Sequence, residues 1–122
     1  AYMEKLTAQE ETAMRLIWEI GPCVVRMLQE KYPEPKPPYT TLASVVKNLE
    51  RKGYVKNRRC GNVYEYYPLV SREEYRTAFM KDAVSNLFSN SYKELVSFFA
   101  KEEKISADDL RDIIEKIETG KE

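Results

Sequence analysis

The fold is decided by the stretch YTTLASVVKNLERKGYVKNRRCGNVYEYYP, residues 39–68. Its first half places apolar side chains at the i, i+3, i+4, i+7 spacing that buries one face of a helix. These side chains are Leu42, Val45, Val46 and Leu49. The spacing predicts a helix over about 39–52, and Gly53 is the residue type that commonly ends one.

After Gly53 the sequence changes to a pattern that is typical of strands. Two β-favouring runs, 54–59 and 63–67, are separated by the turn-prone residues 60–62. This pattern predicts a β-hairpin. Pro68 ends the second strand, because proline has no backbone N–H to donate to a neighbouring strand.

Two further helices precede this stretch. Thr7 and Glu10 form a capping-box signature that starts a helix over about 8–19. Pro22 suits the first position of a shorter helix that runs to about Lys31. Three helices followed by a hairpin is the element order of a winged helix-turn-helix, in which the third helix enters the DNA major groove and the hairpin, or wing, lies along the backbone.

Beyond the hairpin, Ser71 starts another helix with a capping box, and Ser106 can cap a last one. The apolar surface of this region is larger than one short partner helix covers, and soluble monomers rarely expose such a patch. We therefore expect a symmetric partner, the alternative being that these helices fold back on the first three. The predicted dimerisation residues are Phe79, Met80, Val84, Leu87, Phe88, Leu95, Val96, Phe99, Leu110, Ile113, Ile114 and Ile117.

The predicted architecture is therefore mainly α with a small β-hairpin. It comprises a winged helix-turn-helix DNA-binding domain over 1–70 and a helical dimerisation region over 71–122.

The charges of this chain are balanced in number but separated along the sequence. Twenty basic and twenty acidic side chains give no net charge, yet residues 36–59 hold seven basic side chains against one acidic. Such a basic stretch favours contact with phosphates. The alternative is a solvated charged face that acids elsewhere in the fold balance.

The exposed face of the third helix offers short polar groups suited to base edges and cations suited to phosphates. The predicted base-edge residues are Thr40, Thr41, Ser44 and Asn48. The predicted phosphate contacts are Lys47, Arg51, Lys56, Arg58 and Arg59. For each short polar residue the alternative is an ordinary solvated helix face.

The chain lacks the residues that enzymes and metal-binding proteins commonly need. The chain has no histidine, the commonest general base and metal ligand, and Cys23 and Cys60 are isolated and expected to be free thiols. We expect no enzyme activity, metal or cofactor. No stretch approaches the roughly 20 uninterrupted apolar residues of a membrane span. The first eleven residues lack a signal pattern, so we expect a cytoplasmic protein.

Several motifs resemble those of the penicillinase repressor (BlaI/MecI) family. They are Leu6-Thr7-Ala8-Gln9-Glu10, Tyr39-Thr40-Thr41-Leu42, Leu49-Glu50-Arg51-Lys52-Gly53-Tyr54, Tyr64-Glu65-Tyr66-Tyr67-Pro68-Leu69 and Leu95-Val96-Ser97-Phe98-Phe99. The resemblance implies a dimeric bacterial repressor whose winged helix binds half of a palindromic operator. It also implies that a membrane sensor protease signals cleavage in the dimerisation region, which releases the promoter of a β-lactam resistance operon.

The chain departs from this family's pattern at two places, and it also differs from the copper-responsive members. Ala43 stands where members with known operators tend to have a long polar or basic residue, so we expect a different base sequence to be read. The induction cleavage typically falls at an Asn-Phe bond, and the aligned candidate here is Phe98-Phe99. Residues 61–122 contain no cysteine, unlike the copper-responsive members, so copper sensing is not expected.

From the sequence we predict a homodimeric DNA-binding transcriptional repressor. The alternative is a winged-helix module whose third helix and wing bind a protein partner. We predict that the third helix lacks the exposed large aromatic side chains that protein interfaces favour.

Overall fold

The computed structural model describes residues 3–120, so residues 1–2 of the first predicted domain and residues 121–122 of the second lie outside it. Six helices and one two-stranded sheet occupy this range; the predicted elements follow one another in the predicted order, and one further helix lies between the two that were predicted after the hairpin. They are α1 (Ala8–Ile20), α2 (Val25–Glu30), α3 (Tyr39–Arg51), β1 (Val55–Cys60), β2 (Val63–Pro68), α4 (Arg72–Leu87), α5 (Tyr92–Lys101) and α6 (Ala107–Thr119). The mainly α winged-helix fold class is therefore confirmed.

The core of the winged helix lies where α1, α2, α3 and the hairpin meet. All four side chains predicted for the buried face of α3 are buried. They pack in one cluster with Met14 and Ile17 of α1 and with Leu28 of α2, each of which is 0% exposed. Since full burial of such a side chain contributes about 1.5–3 kcal/mol, this cluster fixes α3 against its own domain and leaves its other face for a ligand.

Helix α2 begins later than the sequence predicts. Instead of starting a helix at Pro22, the chain forms an isolated antiparallel bridge between Cys23 and Tyr66. The Cys23 N–H donates to the Tyr66 carbonyl at 2.9 Å, and the Tyr66 N–H donates back at 2.7 Å. A residue that pairs with a strand cannot be helical, so α2 starts only at Val25. This contact over a long sequence separation has no local signal.

Gly53 joins α3 to the hairpin. Its φ of +85° lies in the region that favours glycine, and its N–H donates to the Glu50 carbonyl. The next N–H, that of Tyr54, donates to the Leu49 carbonyl at 2.9 Å, which completes a Schellman motif. The connecting loop of the hairpin has two residues rather than the predicted three, because Cys60 pairs with Val63.

The first turns of α4 pack with the winged helix. The Tyr75 hydroxyl donates to the Glu11 carboxylate at 2.7 Å, and its ring lies 5.5 Å from that of Trp18 and 5.9 Å from that of Tyr54, centroid to centroid. The Trp18 indole N–H donates to the Val70 carbonyl at 2.8 Å. The chain accordingly divides into two compact units after Ala78, within α4.

The second unit contains the rest of α4 with α5 and α6. Phe88 and Phe98 meet edge to face, with ring centroids 5.8 Å apart. Of the twelve predicted dimerisation residues, Val84 is 1% exposed within the single chain and cannot present its side chain to a partner, so that prediction is wrong. Seven others are exposed, namely Phe79, Leu87, Val96, Phe99, Ile113, Ile114 and Ile117, and the remaining four are half-buried. Within residues 3–120 no helix is long and apolar enough to cross a membrane.

Candidate nucleic-acid interface

The exposed face of α3 lies opposite its buried face. Thr40, Ser44, Lys47 and Arg51 are all exposed and follow one another at i, i+4, i+7 and i+11, which places them in one line along the helix. We call this line the α3 stripe. It brings together two predicted base-edge residues and two predicted phosphate contacts.

Two further predicted base-edge residues border the α3 stripe on one side. Asn48 is exposed, whereas Thr41 is half-buried. Asn48 therefore has the freer access to a ligand, and its amide carries both donors and an acceptor.

Of the predicted cations of the wing, Arg58 already has a partner. The strand register places Arg58 opposite Glu65, and the Nη2 and Nε atoms of Arg58 lie 2.6 and 2.7 Å from Oε1 of that carboxylate. This contact raises the pKa of Arg58. Its guanidinium also lies 5.6 Å from the centre of the Tyr67 ring. Lys56 and Arg59 are exposed and have no ion pair within residues 3–120.

Lys52 lies in the basic stretch of residues 36–59, but its contacts stabilise the fold. Its Nζ lies 2.6 Å from Oε1 of Glu10, and it donates to the carbonyl of Lys5 at 2.8 Å. Burial raises the pKa of Glu10, but the hydrogen bonds from Lys52 and from the N–H of Thr7 outweigh this and lower it overall. The cations left for phosphates are therefore fewer than the sequence count implies.

A groove separates α3 from the wing. It has a volume of about 450 Å³, and its lining includes Arg26, Tyr39, Ala43, Lys47, Val63 and Tyr64. We call it the helix–wing groove. Tyr39 and Ala43 form the edge of α3 that faces this groove, on the opposite side of the α3 stripe from Asn48.

Sequence reasoning missed Arg26 and Tyr39. The guanidinium carbon of Arg26 lies 5.9 Å from the centre of the Tyr39 ring, within the range of a cation–π contact. Tyr39 is 48% exposed, so the prediction that α3 presents no large exposed aromatic side chain is wrong. Arg26 is an exposed cation on a short helix, but it lies outside the basic stretch of residues 36–59, so the charge pattern along the sequence does not identify it.

Comparison with known proteins decides the family of this chain. The sequence profile described as penicillinase repressor matches residues 6–119. The chain belongs to the penicillinase repressor family. Methicillin resistance regulatory protein MecI of Staphylococcus aureus (strain N315) is 22% identical over 114 residues, which is 89% of each chain. MecI of Mammaliicoccus sciuri is 21% identical over 73 residues, 60% of this chain and 59% of the relative.

Solved structures of transcriptional regulators share the fold. The organohalide-sensing regulator RdhR-CbdbA1625 matches with a TM-score of 0.50 and 9% identity over 94% of this chain. This chain spans only 62% of that regulator. FabT of Streptococcus pneumoniae, solved in complex with DNA, matches with a TM-score of 0.50 and 15% identity, covering 96% of this chain and 81% of FabT. These identities show the winged-helix fold and nothing finer.

Because the chain belongs to this family, it is a transcriptional regulator and not an enzyme. Within the part of the chain that the structure describes, no group of three or more His, Cys, Asp or Glu side chains could hold a metal ion. Cys23 is a buried free thiol, and burial raises its pKa to about 11, while Cys60 is an exposed free thiol on the wing. The family, together with the fold shared with FabT, supports binding to DNA.

Proposed function

We propose that this penicillinase repressor family protein is a homodimer that represses transcription by binding the two halves of a palindromic operator. The observation that carries the proposal is the α3 stripe, in which two short hydroxyl side chains are followed by two cations along a face opposite the buried one. Such a face can approach base edges closely while its cations reach flanking phosphates. The DNA in the FabT structure supports this use of the shared fold.

In this proposal base recognition comes from Thr40, Thr41, Ser44 and Asn48. Phosphate contacts come from Lys47 and Arg51 on α3 and from Lys56 and Arg59 on the wing. Arg58 contributes less, because Glu65 already neutralises much of its charge.

The experiment that tests operator recognition selects bound duplexes from the source genome and then measures affinity on the selected site and on random DNA. Asn48→Ala is expected to cost roughly 1–3 kcal/mol on the selected site and less on random DNA. The matched control is Asn86→Ala, an exposed residue of α4, which is expected to change neither affinity. An equal loss on both DNAs for Asn48→Ala would assign this residue to phosphate binding or to the fold.

Dimerisation in this proposal uses the apolar surface of the second unit. Helix α6 supports it: Ile113, Ile114 and Ile117 recur on one face and are 45%, 51% and 73% exposed in the single chain. An apolar stripe of this kind on an isolated subunit is typical of a self-association surface. Sedimentation of Ile114→Asp should show a monomer, whereas Lys116→Glu, a charge change off this face, should leave the dimer intact.

Relief of repression is proposed to follow cleavage at Phe98-Phe99, signalled by a membrane sensor protease. This bond lies inside α5, so the helix must open locally before a protease can cut it. The cut detaches α6 from the winged helix. A chain that ends at Phe98 imitates the product, and we expect it to be monomeric and to bind the operator 10²–10⁴-fold more weakly, an order-of-magnitude range for lost avidity. Operator affinity equal to that of the intact chain would exclude this mode of induction.

The second candidate function is a winged helix that binds a protein partner. The exposure of Tyr39, Val63 and Tyr64 around the helix–wing groove favours it, since aromatic residues are enriched at protein interfaces. The two functions differ in their response to salt. DNA affinity falls with a log–log slope of about 0.9 per phosphate contact. A shallow slope on every DNA tested would favour the protein partner.

A further inference from the structure

The helix–wing groove combines features that binding to a DNA backbone does not require. Its volume of about 450 Å³ lies within the range of roughly 300–1,000 Å³ that small-molecule sites occupy. Every residue that lines it belongs to the first compact unit. It is therefore a pocket of the winged helix itself.

The charged residues of the groove are both cations. Arg26 and Lys47 line it, neither makes an ion pair within residues 3–120, and no aspartate or glutamate is among the lining residues. The chain as a whole has as many acids as bases, so this local excess is not a property of its composition. The groove is complementary in charge to an anion.

The walls of the groove are apolar and aromatic. Ala43 and Val63 contribute methyl groups from α3 and β2, and Tyr39 and Tyr64 contribute rings whose hydroxyls can donate hydrogen bonds. A phosphate group gains nothing from such walls, whereas a planar ring buries apolar surface against them. The groove suits a ligand that carries both a ring and a negative charge.

We propose that the helix–wing groove binds a small aromatic carboxylate, with its carboxylate at the Arg26 and Lys47 cations and its ring against Ala43 and Val63. The regulatory consequence rests on the proposed function. The ligand would lie beside the α3 stripe and hold Lys47, so the ligand and the operator exclude each other. Operator affinity then falls by the factor 1 + [ligand]/Kd.

The binding step is tested without DNA on the full chain. The probe is 2-naphthoate, its matched neutral control is 2-naphthamide, and binding is followed by amide chemical shifts and calorimetry. We expect saturable binding of the acid, with shifts at residues that line the groove, and at least tenfold weaker binding of the amide. Equal binding of the two, or no binding of the acid, overturns the proposal.

Variants locate the site. Arg26→Gln and Lys47→Gln are each expected to weaken naphthoate binding at least tenfold. Ala43→Leu fills the groove and is expected to abolish binding. Lys31→Gln, which removes an exposed cation just after the same short helix as Arg26, is expected to leave binding unchanged. Thermal unfolding followed by Trp18 fluorescence verifies that each variant is folded. If Arg26→Gln and Lys47→Gln bind naphthoate as the parent chain does, the proposal is wrong.

Inorganic phosphate tests whether the anion that suits the groove is a phosphate of the DNA backbone rather than a carboxylate. If phosphate shifts the groove residues and naphthoate does not, the groove is a cradle for backbone phosphates and the proposal is overturned. Competition is then measured by titrating naphthoate into the operator complex, where coexistence of both ligands would overturn the regulatory step. Failure of the chain to bind any operator would remove the proposed function and leave the DNA-free titration untouched, so the two failures are distinguishable.

Discussion

The Nζ of Lys52 lies 2.6 Å from Oε1 of Glu10, and their side chains are only 8% and 6% exposed. This ion pair fastens the end of α3 to the start of α1. Glu10 also closes the capping box of α1 through the N–H of Thr7, so a single carboxylate serves two contacts. The orientation of the α3 stripe therefore depends on a buried charge pair.

Loss of one partner of this pair should be costly. Lys52→Met leaves the Glu10 carboxylate buried without its cation, and we expect a loss of about 3–5 kcal/mol in the free energy of unfolding. Glu10→Gln keeps a capping oxygen, so the double variant should recover part of that loss. Urea denaturation followed by the fluorescence of Trp18, the only tryptophan, measures the free energies of unfolding of the parent chain, both single variants and the double variant. Strictly additive losses would show that the two side chains do not stabilise each other.

The same pair predicts a pH dependence. The pKa of Glu10 is lowered in the folded chain, so its contribution to stability is present above the unfolded pKa and is lost as pH falls through the folded one. The stability difference between the parent chain and Glu10→Gln should therefore be constant above about pH 5 and shrink below about pH 4, given an unfolded glutamate pKa of about 4.3. Denaturation curves from pH 3.5 to 7 measure it. A difference that grows on acidification would contradict the assigned direction.

The ion pair between Arg58 and Glu65 predicts an asymmetry in DNA binding. Arg51→Ala should reduce the log–log salt slope by about 0.9, the value for one phosphate contact. Arg58→Ala should reduce it by less. Glu65→Gln frees Arg58 and should raise affinity for all DNA sequences, and in that background Arg58→Ala should show its full effect. If Arg58→Ala reduces the salt slope by the same amount in the parent chain and in the Glu65→Gln variant, the Glu65 carboxylate does not compete with phosphate for Arg58.

The packing of Tyr75 predicts where the winged helix can be cut. A fragment of residues 1–78 retains the Tyr75 ring on Trp18 and the hydrogen bond to Glu11. A fragment of residues 1–70 loses both, together with the shielding of Trp18. We expect the longer fragment to be the more stable one and to show the more blue-shifted tryptophan emission. Identical unfolding curves would place the domain boundary before α4.

Local patterns were sufficient to predict most of the fold. The capping boxes predicted at Thr7 and Ser71 form with both hydrogen bonds present, and Ser106, predicted only as a cap, forms a capping box with Asp109. The periodicity of α3 identified its buried face without error. These features depend on residues within one or two helical turns, so the sequence carries them directly.

Contacts between distant residues could not be predicted in this way. Lys52 reads as one more cation of a basic stretch until α1 places Glu10 beside it. Glu65 lies beyond that stretch, and only the strand register brings it to Arg58. Val84 fits the apolar pattern of an interface but is covered by its own chain. A periodic pattern identifies a face, whereas the partner of a single side chain depends on tertiary packing.

Under the proposed function, the backbone bridge between Cys23 and Tyr66 has a consequence for the choice between operators. Because it fastens β2 to the segment before α2, and α2 packs on α3, the bridge restricts how far α3 and the wing can separate. In that proposal, a pair held in this way favours duplexes in which the spacing between the major groove and the adjacent backbone matches that between α3 and the wing. Sites with the same contacted bases but stiffer intervening steps should therefore bind less tightly, because the DNA must supply the deformation that the protein cannot.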